Sequence, residues 1–256
     1  MSKFIDKLKQ LSEAAAQPIG FRTAQSTAPK PKMLVVASLA EADIGNLSDY
    51  LAGADAGLLR IAKVSTGAKT LKEIAKAAPD IPWGAWLKGG GQGVLKQMAK
   101  SGGDFVVFPP ESTALSTLQD DETGKILAVE PSLAEGLLRT VNKLPVDAVL
   151  IAGEPKKDYS LTWQHLMLFQ QFADLLTKPL LVAIPSKITA DELQALLETG
   201  VGGVVTEVEA GQPTGKLQEL RKLIDGLKPP SPRQPGKGEI LLPRAGRQAN
   251  IATEED

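Results

Sequence analysis

The chain has 256 residues, 43% of them hydrophobic and 23% charged, and a formal net charge of −1. That is enough for one large core of ordinary globular composition, and a near-neutral balance gives no dominant pull toward nucleic acid or an anionic membrane. There is no cysteine and one histidine, His165, which excludes disulfides, thiolate nucleophiles and multi-histidine metal centres.

Residues 2–16 read as a short amphipathic helix with Phe4, Ile5, Leu8 and Leu11 on one side. Its expected place is the bottom of a barrel, as a plug; a partner-docking or membrane-surface helix is the competing reading. Charges at Lys3, Asp6, Lys7 and Lys9 interrupt any signal-peptide core, and no apolar run reaches the roughly 18 residues of a spanning helix. The expected compartment is therefore the cytoplasm. Residues 17–32 hold three prolines and many small polar residues and read as a connecting arm, with Pro18, Ile19, Gly20 and Phe21 as a surface anchor.

From residue 33 a unit repeats. Short apolar, β-branched runs at 33–39, 56–62, 81–87, 104–108, 125–129, 147–152, 180–184 and 201–208 predict strands. Helical spacing over 43–51, 70–78, 93–101, 132–144, 161–177, 188–199 and 215–227 predicts helices between and after them, with a weak one near 113–118. Residues 178–209 show the unit most cleanly, a strand, a helix closed by Gly200 and a second strand, which must form a right-handed parallel crossover. Strand–helix pairs of this number and spacing match a single (β/α)8 TIM barrel. A doubly wound open sheet is the competitor, but VVASLAEAD stands where its glycine-rich turn would follow the first strand. Pro229, Pro230 and Pro232 stop the last helix, and the Pro/Gly-rich remainder has too little apolar mass for a core. The expected organisation is an N-terminal helix and arm (1–32), the barrel (33–228) and a flexible C-terminal tail (229–256), in which only Ile240, Leu241, Leu242 and Pro243 could dock.

The stretch 178–209 resembles the final third of ribulose-phosphate-binding-type barrels. Lys178-Pro179 precedes a strand, Thr189-Ala190-Asp191 opens a helix, Gly200 closes it, and Gly202-Gly203-Val204-Val205 begins the next strand. The resemblance implies a phosphate held by the loops after the seventh and eighth strands, through backbone amides and helix N-termini. Here those loops read Ile184-Pro185-Ser186-Lys187, without a glycine pair, and Thr206-Glu207-Val208-Glu209. Lys187 and the amides at Thr189 and Ala190 are the anion-holding candidates.

In such a barrel chemistry belongs to the C-terminal strand ends, which here carry Ser38, Arg60, Lys63, Lys88, Glu111, Glu130, Glu154, Lys187, Glu207 and Glu209. The bland account of each is a strand turning polar as it emerges, its charge paired with a neighbour. Glu130 and Glu154 stand out because each ends an apolar run directly before a proline, which holds the turn extended. Carboxylates at adjacent strand ends would share a proton or bind Mg²⁺. Lys88 precedes Gly89-Gly90-Gly91, whose amides could converge on an anion, or which could simply be a loose loop. His165 lies among apolar residues of its helix and is expected to pack rather than react.

These residues support a barrel enzyme of isomerase or lyase type acting on a small anionic, phosphorylated or carboxylated metabolite. Glu130 or Glu154 would be the base, and Lys88 or Lys187 would stabilise charge. A Schiff-base aldolase fits less well, because the sixth strand ends in Glu154 where lysine would be wanted. The alternative is a non-catalytic barrel acting as a binding or assembly module through its arm and tail. Trp163 and Met167 fall one turn apart, outside the apolar stripe of Leu161, Leu168, Phe169, Phe172, Leu175 and Leu176, and predict a homo-oligomer through that face.

Overall fold

A strand that closes a filled barrel and carries helices outside is buried on both faces, so it must be apolar at nearly every position. The computed structural model describes residues 2–16, 31–40, 47, 51–89, 93–118, 123–152, 160–208 and 215–230. Within it, helix α1 (Lys3–Ala16) precedes β1 (Leu34–Leu39), β2 (Ala56–Ile61), α2 (Val64–Ala77), β3 (Trp83–Leu87), α3 (Val94–Lys100) and β4 (Gly103–Phe108). A 3₁₀ turn (Leu115–Leu118), β5 (Gly124–Val129), α4 (Glu135–Val141), β6 (Ala148–Ile151), α5 (Trp163–Leu175), β7 (Leu180–Ala183), α6 (Ala190–Glu198), β8 (Gly203–Val208) and α7 (Lys216–Gly226) follow. The strands pair in parallel in sequence order, and β8 returns to β1, so the sheet is a closed barrel. The expected (β/α)8 architecture holds. The predicted helix over 43–51, apart from Leu47 and Leu51, and most of the connecting arm and of the tail lie outside the described residues.

Alternation along the strands divides the core in two. Leu34, Val36, Leu58, Phe105, Val107, Ile126, Leu150, Leu181 and Val205 point inward and fill the barrel. Val35, Leu59, Val106, Val149, Val182 and Val204 point outward, against Leu71, Ile74, Leu95, Leu138, Phe172, Leu193, Leu196 and Ile224 of the helices. Each side chain fully buried this way contributes on the order of 1.5–3 kcal/mol.

At the N-terminal end several inward positions are small, Ala56, Gly84, Gly124 and Ala148 among them, and α1 packs onto that end. Phe4, Ile5 and Leu8 belong to the inner cluster, and Phe4 stacks on Phe105 with ring centroids 4.7 Å apart. Glycine is required for this approach. A Cβ on Gly124 would lie 2.6 Å from Ile5 Cγ1, and one on Gly84 would lie 2.2 Å from Phe105 Cε2. Asp104, at the foot of β4, caps the helix. It accepts from Ser2 Oγ (2.7 Å) and from the amides of Lys3 (2.8 Å) and Phe4 (2.9 Å).

Candidate functional site

At the C-terminal end the inward positions turn polar on one side only. Ser38 on β1, Arg60 on β2, Trp86 on β3 and Glu207 on β8 share the inward phase of their strands with Val36, Leu58, Gly84 and Val205. The ladder sets Ser38 beside Glu207 and Arg60 beside Trp86. Opposite them the inward residues are Val107, Ala128, Ala152 and Ala183, which are apolar and mostly small. The mouth therefore has a polar arc on four neighbouring strands facing an arc with little side-chain bulk.

Arg60 organises the polar arc. Its Nη2 lies 2.5 Å from Glu207 Oε1, and its guanidinium carbon sits 5.0 Å from the Trp86 ring centroid. Both charged side chains are just over a third exposed (38% and 36%), so the pair adds little to stability. The ring contact contributes about 0.5–1 kcal/mol at such exposure. The effect on geometry is larger, since the planar group is held at one edge by Glu207 and lies over the ring of Trp86.

A cavity of about 380 Å³ opens beside this arc, at the ends of β7 and β8. Its walls come from Ile184, Pro185, Ser186, Lys187, Ile188 and Thr189 on one side, and from Thr206, Glu207, Val208 and the first turns of α7 on the other. Glu207 thus belongs to the cavity and to the mouth. Lys187 is exposed at its rim, and Lys216 and Glu219 line it from α7. Thr189 is the N-cap of α6, in a capping box with Glu192. The Thr189 amide and hydroxyl each donate to Glu192 Oε2 (2.8 Å), and the Glu192 amide donates to Thr189 Oγ1 (3.2 Å). Both Thr189 donors are thereby engaged, which leaves the amides of Ala190 and Asp191 at the head of the helix, where first-turn N–H groups have no intrahelical partner.

The other predicted residues are more scattered. Lys88 is exposed at the end of β3, and its carbonyl accepts from Ser112 Oγ (2.8 Å). Gly89 follows, packed so closely on that segment that a Cβ would fall 2.8 Å from the Ser112 carbonyl oxygen. Gly90, Gly91, Glu154 and Glu209 lie outside the described residues. Glu130 is exposed and accepts from Ser132 Oγ (3.2 Å). Among the described residues no three His, Cys, Asp or Glu side chains cluster in a way that could hold a metal ion.

His165 has a local structural task. It is the third residue of α5, and its Nδ1 accepts from the Thr162 amide (3.1 Å) while the His165 amide donates to Thr162 Oγ1 (3.4 Å). It therefore completes a capping box, a role that the apolar surroundings of the residue in sequence do not announce. Trp163 and Met167 of the same helix are 82% and 72% exposed. No helix among the described residues is long and apolar enough to cross a membrane.

No family model matches the sequence, and no curated protein sequence does. Solved structures do match the fold. Thiamine phosphate pyrophosphorylase from Pyrococcus furiosus is 17% identical, with a TM-score of 0.57 over 76% of this chain and 96% of that one. A mutant tryptophan synthase alpha-subunit from the same organism is 12% identical, with a TM-score of 0.59 over 77% and 98%. Orotidine 5'-phosphate decarboxylase from Pyrococcus horikoshii is 12% identical, with a TM-score of 0.59 over 76% and 100%. At these identities the likeness is one of fold: the chain is a (β/α)8 barrel.

Proposed function

We propose that the chain is an enzyme of isomerase or lyase type that takes a small anionic, phosphorylated metabolite at the C-terminal mouth of the barrel. Lys187 and the amides heading α6 hold the anion, with Thr189 setting the geometry of that turn. The observation that supports this most is the cavity at the ends of β7 and β8, which is rimmed by Lys187 and shares Glu207 with the mouth. Two of the barrels of like fold are named for phosphorylated compounds, thiamine phosphate and orotidine 5'-phosphate. Glu207 does not oppose the anion with a free charge, because Arg60 neutralises it. Lys88 and Gly89 at the end of β3, and Glu130 at the end of β5, remain candidates for a second cation and a proton-transferring group across the mouth. Glu154, with Glu130, remains the candidate pair for Mg²⁺.

Glycerol 3-phosphate tests the anion site. It is expected to raise the melting temperature by linkage to the native state. Lys187→Ala should weaken its binding on the order of tenfold, the worth of one charge-assisted hydrogen bond. Lys72→Ala, on the exposed face of α2, should leave binding unchanged. No stabilisation by glycerol 3-phosphate, or equal losses in the two variants, would count against the reading.

A second reading, a barrel that works as an assembly module, is favoured by the exposure of Trp163 and Met167 on adjacent turns of α5. Side chains of this type are enriched in interface cores, and symmetric dimers are the commonest soluble assembly. Light scattering is expected to give a dimeric mass for the wild type and a monomeric one for the Trp163→Glu, Met167→Glu double variant. A monomeric wild type rules this face out.

A further inference from the structure

Two donors in the barrel mouth have no partner among the described residues. Ser38 is 1% exposed, and its Oγ makes no hydrogen bond. The Nε of Arg60 is likewise buried and unbonded, although the same guanidinium pairs with Glu207. Buried polar groups are nearly always bonded, because an unmet donor keeps the full cost of leaving water. Orphans like these are retained where something else supplies the acceptor.

The topology brings the two together. In the β1–β8 ladder Ser38 stands beside Glu207, and in the β1–β2 ladder it stands beside Leu58, two residues before Arg60 and in the same inward phase. Arg60 on β2 and Glu207 on β8 have β1 between them, so their ion pair crosses the end of β1, where Ser38 sits. Trp86 on β3 holds the guanidinium from the far side.

Charge selects the acceptor. Glu207 already neutralises the guanidinium, so a carboxylate or phosphate oxygen brought to Nε would leave water with no net positive charge to repay it. An uncharged carbonyl oxygen meets no such conflict, and its two lone pairs accept from both donors at once. The residues of the facing arc, Val107, Ala128, Ala152 and Ala183, are apolar and mostly small.

We infer that Ser38 Oγ and Arg60 Nε together bind the carbonyl oxygen of a small aldehyde or ketone substrate, which makes Ser38 and Arg60 catalytic residues. The inference rests on the proposed function above, in that the anionic end of the same molecule lies in the cavity beyond Glu207. Donors fixed on a carbonyl oxygen polarise it toward the charge it gains in the transition state. Enolisation and carbon–carbon cleavage beside a carbonyl both need that polarisation, so the site serves either proposed reaction class.

The test uses a matched pair of probes, dihydroxyacetone phosphate and glycerol 3-phosphate, which differ only in the carbonyl. Calorimetric titration of the full chain is expected to show roughly a tenfold preference for the ketone, the worth of about one net hydrogen bond. Ser38→Ala and Arg60→Lys should each abolish the preference while glycerol 3-phosphate binds as before. Ser38→Ala should also leave the melting temperature of the unliganded protein unchanged or raise it, since it removes an unmet buried hydroxyl. Equal binding of the two probes by the wild type, a preference that survives Ser38→Ala, or a Ser38→Ala variant that is clearly destabilised without ligand overturns the inference. A ketone preference that persists in Lys187→Ala with undiminished affinity supports the carbonyl site and removes the anion site instead.

Discussion

Phe4→Ala is expected to destabilise the protein by about 3–5 kcal/mol, the usual cost of truncating a buried phenylalanine. For a chain of this size that lowers the melting temperature by roughly 10 °C. Phe4 is 0% exposed, stacks on Phe105 and belongs to the inner cluster at the end of the barrel. The barrel cannot collapse into the gap, because β4 and β5 are fixed by their ladder and by the ring of Phe105. Ligand affinity should be unchanged in the same variant, since Phe4 packs at the N-terminal strand ends and the mouth lies at the other. Urea and thermal denaturation read the first effect, and titration with glycerol 3-phosphate reads the second. A loss below about 1 kcal/mol would mean that α1 is an appendage and not part of the core.

That α1 closes the barrel could be expected from the stripe of Phe4, Ile5 and Leu8, because a free amphipathic helix needs a surface to cover. The strands were equally legible. All six residues of β1 and all six of β5 are buried, and apart from Ser38 and Lys125 both read as continuous apolar runs. Helix limits were harder. Helix α2 starts at Val64, well ahead of the predicted residue 70, because Val64-Ser65-Thr66-Gly67 has loop composition. Gly67 is there for packing: a Cβ at that position would lie 2.3 Å from Ile61 Cγ2. Helix α4 covers only Glu135–Val141 of the predicted 132–144, since Leu133 N–H turns back to the Glu130 carbonyl (3.1 Å) before the helix begins.

The candidate site is legible as a set of residues but not as an arrangement. Ser38, Arg60 and Glu207 all stand among the strand-end candidates, yet a local signal, an acid ending an apolar run before a proline, favours Glu130 and Glu154. The Arg60–Glu207 pair joins β2 to β8 and exists only once the barrel has closed. Strand phase offers a partial signal, since Arg60 and Glu207 are charged residues in the inward phase of otherwise apolar strands. Orphan donors such as Ser38 Oγ have no signature in sequence, because burial and the lack of a partner are both tertiary facts.

The second large effect is expected at the foot of the barrel, where the chain closes on itself. Arg221 of α7 donates through Nη1 to the Met33 carbonyl (3.1 Å) and through Nε to the Gly53 carbonyl (3.2 Å), and its Nη2 pairs with Asp55. Asp55 in turn accepts from the Val35 amide (2.8 Å), so one guanidinium ties the last helix to the entries of β1 and β2. The two side chains are only 17% and 18% exposed. Arg221→Met keeps the aliphatic stem but strands a carboxylate and two carbonyls. The cost of breaking a buried pair is about 3–5 kcal/mol. The residual exposure places Arg221→Met at the lower end, about 3 kcal/mol or roughly 8 °C in melting temperature. Arg221→Lys should recover less than half of the loss, because a single ammonium cannot reach three acceptors held in a planar fork. Thermal denaturation of the two variants decides it: a lysine variant as stable as the wild type would show that charge alone, and not the fork, closes the barrel.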